Sequence, residues 1–178
     1  MPLLKTETYT IDYIYSLPDG QRAELIDGVV YDMSPPSLKH QLLVSNITTE
    51  INLYIRSKQG KCNVLPAPFA VLLNKDDKNY VEPDISVICE PNKLNDKGCI
   101  GAPDWIIEIV SPSSKRMDYF IKLFKYRTAG VREYWIVDPL KDRIMVYNFE
   151  TQDTFDYTFA DIVKVGIYED LNIDFSKL

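Results

Sequence analysis

The sequence has few of the features that mark membrane, secreted or zinc-binding proteins. No run approaches the roughly 20 apolar residues needed to span a bilayer, and the first seven residues lack the apolar core of a secretory signal. Three cysteines (Cys62, Cys89 and Cys99) are odd in number and have no CxxC spacing, which argues against a disulfide framework or a zinc site. We therefore expect a cytoplasmic protein that does not contact a membrane.

Positive charge is also in short supply. Twenty basic residues stand against 26 acidic ones, so the net charge is −6 and the isoelectric point is about 4.8. Proteins that bind nucleic acid usually carry a basic patch, so this balance counts against tight, nonspecific DNA binding. The sequence does contain one local group of cations, formed by Lys115, Arg116, Lys122, Lys125, Arg127 and Arg132.

Hydrophobic patterning predicts an α/β protein with a mixed sheet flanked by helices. At 178 residues and 46% hydrophobic residues, the chain fits one compact domain, residues 1–178. Asp27-Gly28 is a strong hairpin signal, and the order of elements lacks the regular alternation of a doubly wound fold. The predicted helices are 10–17, 38–58 and one that follows 111–114 and ends at 129–130. The predicted strands are 22–26, 29–33, 62–73, 80–89, 105–110, 133–137, 143–149 and 154–160, with a loop at 90–103.

One carboxylate, Glu108, lies within the apolar run Trp105-Ile106-Ile107-Glu108-Ile109-Val110. Strand alternation places Ile106, Glu108 and Val110 on one face, and both faces are otherwise apolar, so the strand should be central in the sheet. A buried ionised carboxylate is costly unless it is paired or bound to a metal. Glu108 is therefore either a metal ligand or one half of a buried ion pair.

Other candidate residues each have a simpler explanation. Asp84 alternates with apolar residues and could lie on a solvated face of its strand, and Glu24 could be an edge-strand charge. Asp118 and Lys122 are four residues apart on the third helix, as in an ordinary surface pair that contributes about 0.3 kcal/mol. His40, the single histidine, falls in the first turn of the second helix, and the pattern assigns it no mechanistic role.

Periodicity also predicts the buried face of the third helix. Four apolar residues recur there at helical spacing and are expected to face the core. These residues are Met117, Phe120, Ile121 and Phe124.

Several blocks of the sequence, in order over about residues 20–148, resemble the Uma2 family. Proteins of this family resemble PD-(D/E)xK nucleases in fold and are described as putative restriction-endonuclease-like proteins. The blocks are Glu24-Leu25-Ile26-Asp27-Gly28, Ser34-Pro35-Pro36-Ser37 with His40, Glu82-Pro83-Asp84-Ile85-Ser86-Val87, Glu108-Ile109-Val110-Ser111-Pro112-Ser113-Ser114, Asp118 with Lys122, and Ala129-Gly130-Val131-Arg132-Glu133-Tyr134-Trp135-Ile136-Val137-Asp138-Pro139.

The resemblance implies a restriction-endonuclease-like fold and a set of site residues. It makes Asp84 the first metal ligand and Glu108 the acid of the (D/E)xK element, although Val110 stands where the lysine usually lies. The lysine is then implied to come from the following helix as Lys122, and Glu24 matches an acidic residue of an earlier element.

The resulting hypothesis is a metal-dependent endonuclease that hydrolyses nucleic-acid phosphodiester bonds, with DNA as the expected partner. Asp84, Glu108 and the carbonyl of Ile109 would hold Mg²⁺ or Mn²⁺, with Lys122 and Glu24 assisting. Two alternatives stay open: a catalytically silent, nuclease-like binding module, and a structural ion pair between Glu108 and Lys122. A homodimer is expected because nucleases that act on duplex DNA often pair their active sites.

Overall fold

The computed structural model describes residues 7–178. The expectation about a secretory signal concerns residues 1–7, which lie outside the described residues except for Glu7. Within the described part of the chain, no helix combines the length and the apolar character that crossing a membrane requires.

The described chain contains three α-helices, a π-helical segment and fourteen short strands. The helices are α1 (Ile11–Tyr15), α2 (Leu38–Ser57), the π-helical segment Met117–Lys122 and α3 (Leu123–Ala129), which continues it directly. The strands are β1 (Ala23–Ile26), β2 (Val29–Asp32), β3 (Asn63–Pro66), β4 (Val71–Leu72), β5 (Tyr80–Val81), β6 (Ile85–Ile88), β7 (Leu94–Asn95), β8 (Gly98–Ile100), β9 (Trp105–Ile109), β10 (Glu133–Asp138), β11 (Arg143–Asn148), β12 (Asp153–Tyr157), β13 (Ile162–Lys164) and β14 (Asn172–Asp174).

The strands form two six-stranded sheets and a separate two-stranded ribbon. The first sheet has the order β2-β1-β5-β4-β8-β7, the second has the order β12-β11-β10-β9-β6-β3, and β13 pairs with β14. In the second sheet β9 runs parallel to β10 and antiparallel to β6. The predicted α/β architecture with a mixed sheet and flanking helices is confirmed.

Strand β9 is central, as its two apolar faces predict. It lies between β6 and β10, and all five of its residues are buried. Trp105, Ile107 and Ile109 belong to the core that packs under α2. Ile106 belongs to a second core that includes Tyr126 of α3, so the two faces of the sheet are covered by different helices.

Helix α2 follows the predicted pattern closely. Ser37 is its N-cap, with a side-chain oxygen that accepts a hydrogen bond from the backbone N–H of His40 at 3.2 Å. Its buried face is Leu43, Val44, Ile47, Ile51 and Ile55.

The two long strands predicted at 62–73 and 80–89 are each broken in two. Strands β3 and β6 pair in the second sheet, whereas β4 and β5 pair in the first. Pro68 and Pro83 lie in the breaks, where a residue without an N–H does not interrupt a ladder. The second break places Asp84 at the junction of the two sheets.

The predicted strands 22–26, 29–33, 105–110, 133–137, 143–149 and 154–160 correspond to β1, β2, β9, β10, β11 and β12. Two other parts of the strand prediction are corrected. The predicted loop at 90–103 contains β7 and β8, which extend the first sheet through the parallel pairing of β8 with β4. Strands β13 and β14 near the C-terminus were not predicted. Only the pairing of β8 with β4 joins residues distant in sequence. Strands β7, β8, β13 and β14 are two or three residues long, which is too short for alternation to reveal them.

The cysteines also differ from the expectation. Cys62 and Cys89 form a disulfide, and only Cys99 is free, in a buried position. Asn63 pairs with Ile88 in the ladder of β3 and β6, which brings the two flanking cysteines opposite each other. The odd number of cysteines concealed this pair because the register of the two strands is a tertiary property.

The predicted buried face of the third helix is wrong in half of its residues. Met117 and Ile121 pack against the core, but Phe120 and Phe124 are 70% and 64% exposed. The buried face carries Asp118, Lys122 and Tyr126 instead.

Candidate active site

Glu108 lies in the middle of β9 and is 3% exposed. Its Oε1 accepts hydrogen bonds from the Lys122 ammonium at 2.8 Å and from the Tyr126 hydroxyl at 2.6 Å. Its Oε2 accepts the backbone N–H of Asp84 at 3.2 Å. Burial raises the pKa of this carboxyl well above its usual range, and the Lys122 charge opposes that rise. All three partners are donors, so the geometry suits the ionised carboxylate.

Lys122 joins two carboxylates that are far apart in sequence. Its ammonium lies 2.8 Å from Glu108 and 2.9 Å from Glu24, and all three side chains are buried. Burial by itself lowers the pKa of Lys122, but the charges of Glu108 and Glu24 outweigh burial and raise the pKa well above its ordinary value. Lys122 is therefore a fixed cation at neutral pH.

Glu24 is not an edge-strand charge. Strand β1 lies between β2 and β5, and the Oε1 of Glu24 also accepts the backbone N–H of Glu82 at 2.9 Å. Glu82 in turn is bound by the Arg22 guanidinium at 2.8 Å. These contacts fix the first sheet against the segment that carries Asp84.

Asp84 is half-buried at the end of the site nearest solvent, with a side chain that is 17% exposed. Its Oδ2 accepts the backbone N–H of Ile109 at 2.8 Å. Among residues 7–178, no hydrogen-bond donor contacts the other oxygen, Oδ1. The expectation of a freely solvated strand face is therefore replaced by a carboxylate that is held on one oxygen and open on the other.

His40 is a site residue that sequence reasoning left without a role. Its Nε2 lies 3.1 Å from Oδ2 of Asp84, and its Nδ1 lies 3.2 Å from Oε1 of Gln41. Burial lowers the pKa of His40, but the hydrogen bond and charge of Asp84, together with a backbone hydrogen bond to Ile109, raise it overall.

Asp118 was expected to pair with Lys122 on the surface, and instead it is 2% exposed. Its Oδ2 accepts the Ser114 hydroxyl at 2.6 Å. Burial raises the pKa of Asp118 to about 6, against the opposing charge of Lys122. The π-helical segment thus directs two ionisable side chains inward, consistent with the frequent occurrence of such segments at functional sites.

Tyr126 was missed, and Asp118 was placed on the surface, because the periodicity argument assumed that the apolar residues of the third helix face inward. The signal that would have found them is their spacing with Lys122: residues 118, 122 and 126 recur every four positions and share one helical face.

The local group of cations is partly neutralised by pairing. Lys122 is buried in the site, Lys125 pairs with Asp27, and Arg132 pairs with Asp104 and Glu150. The exposed members are Lys115, Arg116 and Arg127.

The arrangement offers oxygen ligands for a divalent cation at its solvent end. The donors are the free oxygen of Asp84, the carbonyl of Ile109, and Oε2 of Glu108, which has a single long hydrogen bond. Oxygen donors of this kind suit Mg²⁺ and Mn²⁺, which commonly keep several water ligands and use one or two carboxylates. No cluster of three or more His, Cys, Asp and Glu side chains able to hold a metal occurs within residues 7–178. The residues therefore fit a cation whose shell is completed by backbone and water, not an all-side-chain cage.

Comparison with solved structures identifies the class of fold. The chain superposes with a TM-score of 0.76 on a crystal structure described as a putative nuclease belonging to DUF820 from Anabaena variabilis, at 23% identity, over 94% of this chain and 95% of that chain. The fold is therefore that of a nuclease-like α/β protein.

Sequence comparison gives the family. Residues 9–165 match the model of the Uma2 family, described as "Putative restriction endonuclease", and the chain belongs to this family. It is also 24% identical over 129 residues to an uncharacterized protein from Synechocystis sp., covering 72% of this chain. The matched region spans 66% of the length of that relative.

Proposed function

We propose that the protein is a metal-dependent endonuclease that hydrolyses nucleic-acid phosphodiester bonds, with DNA as its substrate. The observation that carries this proposal is the convergence of Glu24, Asp84, Glu108 and Lys122 from four separate elements into one connected set of hydrogen bonds. Lys122 and Glu24 are 98 residues apart in sequence. Membership of a family described as "Putative restriction endonuclease" supports the same reaction class.

In this proposal Asp84, Glu108 and the carbonyl of Ile109 hold Mg²⁺ or Mn²⁺. A divalent ion held by these residues would supply a water of lowered pKa and would neutralise charge that develops on the phosphorus oxygens. Asp84 is partly exposed and lies at the solvent end of the site, while Lys122 and Tyr126 hold the buried Glu108 in place.

The protonation state of Lys122 decides whether it donates hydrogen bonds or accepts a proton in the proposed reaction. Because the two carboxylates keep it charged, Lys122 donates hydrogen bonds and does not accept a proton from water. We assign it to stabilise negative charge near the scissile phosphate and to hold Glu108 and Glu24 in place. Glu24 restrains the ammonium as well, since it contacts Lys122 at 2.9 Å.

A second candidate function rests on a specific observation. Protein donors already contact both carboxylate oxygens of Glu108, and the net charge of −6 opposes nucleic-acid binding. A nuclease-like fold that uses this cluster only for stability would act as a binding module without turnover.

Calorimetry with Mg²⁺ and Mn²⁺, followed by cleavage assays on DNA and RNA, separates these functions. The variants are Asp84→Asn and Glu108→Gln, with Asp153→Asn on exposed strand β12 as a matched control. We expect metal binding and cleavage in the wild type and the control, and loss of both in the two site variants. Metal binding without cleavage of any substrate would favour the silent module, and no metal binding would leave only the structural ion pair.

Two further predictions accompany this proposal. We propose a homodimer, because duplex cleavage calls for two sites. We also propose a cytoplasmic location, although the Cys62–Cys89 disulfide removes the cysteine argument for it. Sedimentation of the untagged protein at several concentrations tests the dimer.

A further inference from the structure

We propose that the exposed face of the third helical segment binds unpaired nucleotides of the nucleic-acid substrate. We call this surface the outer stripe, and it consists of Lys115, Arg116, Phe120, Phe124 and Arg127. The inference rests on the nucleic-acid substrate proposed above and adds which form of nucleic acid the protein recognises.

Two phenylalanines of the outer stripe are exposed to solvent. Phe120 and Phe124 are 70% and 64% exposed, because Asp118, Lys122 and Tyr126 occupy the buried face of the same segment. Residues four apart on a helix have Cβ atoms about 5–6 Å from each other, so the two side chains are neighbours on the surface. Contiguous apolar patches on a protein surface commonly mark a binding site.

The charge beside these rings has one sign. Asp118 is the single carboxylate residue between positions 111 and 130, and it is 2% exposed. Lys115, Arg116 and Arg127 are exposed, and within residues 7–178 none of them forms an ion pair. Although the whole chain has a net charge of −6, this face of the helical segment is positive and suits an anionic partner.

One end of the outer stripe lies close to the candidate active site. Strand β9 ends at Ile109, whose backbone N–H donates to Asp84 at 2.8 Å. A tight turn at 111–114 follows, closed by a hydrogen bond of 2.9 Å between its first and last residues. Lys115 and Arg116 come directly after this turn. Two of the three cations therefore lie at the end of the segment nearest the proposed place of cleavage.

The other end of the stripe borders a cavity. Arg127 follows Phe124 by less than one helical turn. Its guanidinium lies 5.1 Å from the ring centroid of Phe149, and these two residues line a cavity of about 480 Å³ together with Gln152. Cavities of about 300–1,000 Å³ hold small organic ligands, so this one has room for a nucleotide. Its lining offers a cation for a phosphate and an amide for the edge of a base.

This combination fits a single strand better than a duplex or a second copy of the chain. Exposed aromatic rings stack on bases and cations beside them neutralise phosphates, as in proteins that bind single strands. In a duplex the faces of the bases are covered by their neighbours, so the rings of Phe120 and Phe124 would reach only its ends. A symmetric contact between two copies would bring the cations of two identical stripes together, which like charge disfavours.

Fluorescence anisotropy with labelled oligothymidylate measures binding by the untagged full-length protein. EDTA in the buffer prevents metal-dependent cleavage, so the measurement reports strand binding alone. We expect the single strand to bind more tightly than a blunt duplex of the same length. Phe120→Ala and Phe124→Ala should each weaken binding on the order of tenfold, and Arg116→Gln should weaken it and reduce its salt dependence.

Phe155→Ala is the matched control for the two phenylalanine variants. Phe155 is also exposed, at 47%, but it lies on strand β12 near the acidic residues Asp153 and Asp156. We expect this variant to bind the strand as the wild type does. Because all three rings are exposed, the variants should fold normally, and circular dichroism checks this.

The possible results separate this inference from the proposed function. Equal binding by the wild type and the two phenylalanine variants would refute the outer stripe, and so would a wild type that cuts a substrate with Mg²⁺ or Mn²⁺ but binds no single strand. Strand binding that depends on the two phenylalanines, without cleavage of any substrate, would support the stripe and favour the silent module. Oligomers that dissociate in the phenylalanine variants, or preferred binding to phosphatidylserine vesicles, would assign the surface to a second copy or to a membrane and overturn the inference.

Discussion

Replacing Lys122 with methionine removes the ammonium shared by Glu24 and Glu108. Methionine keeps most of the length of the side chain and fills the same buried space, so the change isolates the charge. The two carboxylates are 4% and 3% exposed, and solvent cannot take over the role of the lost cation. Tyr126 would remain as one donor to Glu108.

The expected loss of stability follows from the burial of the two carboxylates. Removing one partner of a buried ion pair costs about 3–5 kcal/mol, because the other charge is left uncompensated. For a protein of this length about 1 kcal/mol corresponds to roughly 2–4 °C, so Tm should fall by roughly 6–20 °C. Lys125→Met is the matched control on the same helix: its partner Asp27 is well exposed, and the expected loss is about 0–1 kcal/mol.

The pH dependence of the stability of Lys122→Met tests the same ion-pair network in a second way. Without Lys122, burial raises the pKa of Glu108 unopposed, so the folded variant binds this proton more tightly than the unfolded chain does. Stability of the variant relative to the wild type should therefore worsen as pH rises from 5 to 8. Urea unfolding at these two pH values measures both quantities. Equal, pH-independent losses for Lys122→Met and Lys125→Met would refute the buried ion-pair network.

Two other buried carboxylates give further predictions. Burial raises the pKa of Asp118 to about 6 from an ordinary value of 3.8, so the wild type should lose up to about 3 kcal/mol as pH rises through this window. Asp118→Asn has no charge to bury, and its stability relative to the wild type should increase from pH 4 to pH 7 in thermal unfolding; a flat difference would contradict the assignment. Glu133 accepts two backbone N–H groups and the indole N–H of Trp135, so Glu133→Ala should cost about 3 kcal/mol or more in urea unfolding. The control Glu150→Ala, at an exposed pair, should cost under about 1 kcal/mol.

Local sequence patterns predicted much of the secondary structure correctly. The hairpin at Asp27-Gly28 forms where predicted, with Ala23–Ile26 paired to Val29–Asp32, because two residues in left-handed conformation specify this turn. Helix α2 occupies Leu38–Ser57, close to the predicted range, because its cap and its apolar spacing agree. Each of these signals is contained within a few residues of the chain.

The predictions of secondary structure and of buried faces were wrong where contacts with distant segments decide the position of a residue. The sequence between positions 62 and 89 predicts two long strands. In the structure each of them breaks near a proline, and its two halves belong to different sheets. The third helix reads as apolar on the face of Phe120, yet the carboxylates of β1 and β9 attract Lys122 to the interior instead. Hydrophobic periodicity depends only on the residues of the helix itself, so it does not report the charged side chains of the strands that pack against that helix.

The sequence by itself determined that Glu108 is buried in a central strand, because an apolar run on both sides leaves that residue no route to solvent. It also carried the family blocks that single out Asp84 and Lys122. Only the tertiary structure decided that Lys122 reaches Glu108 from a helix, that Glu24 meets it from another sheet, and that His40 faces Asp84. These contacts join residues 14 to 98 positions apart, and their geometry is set by how two sheets and two helices pack, which no local pattern records.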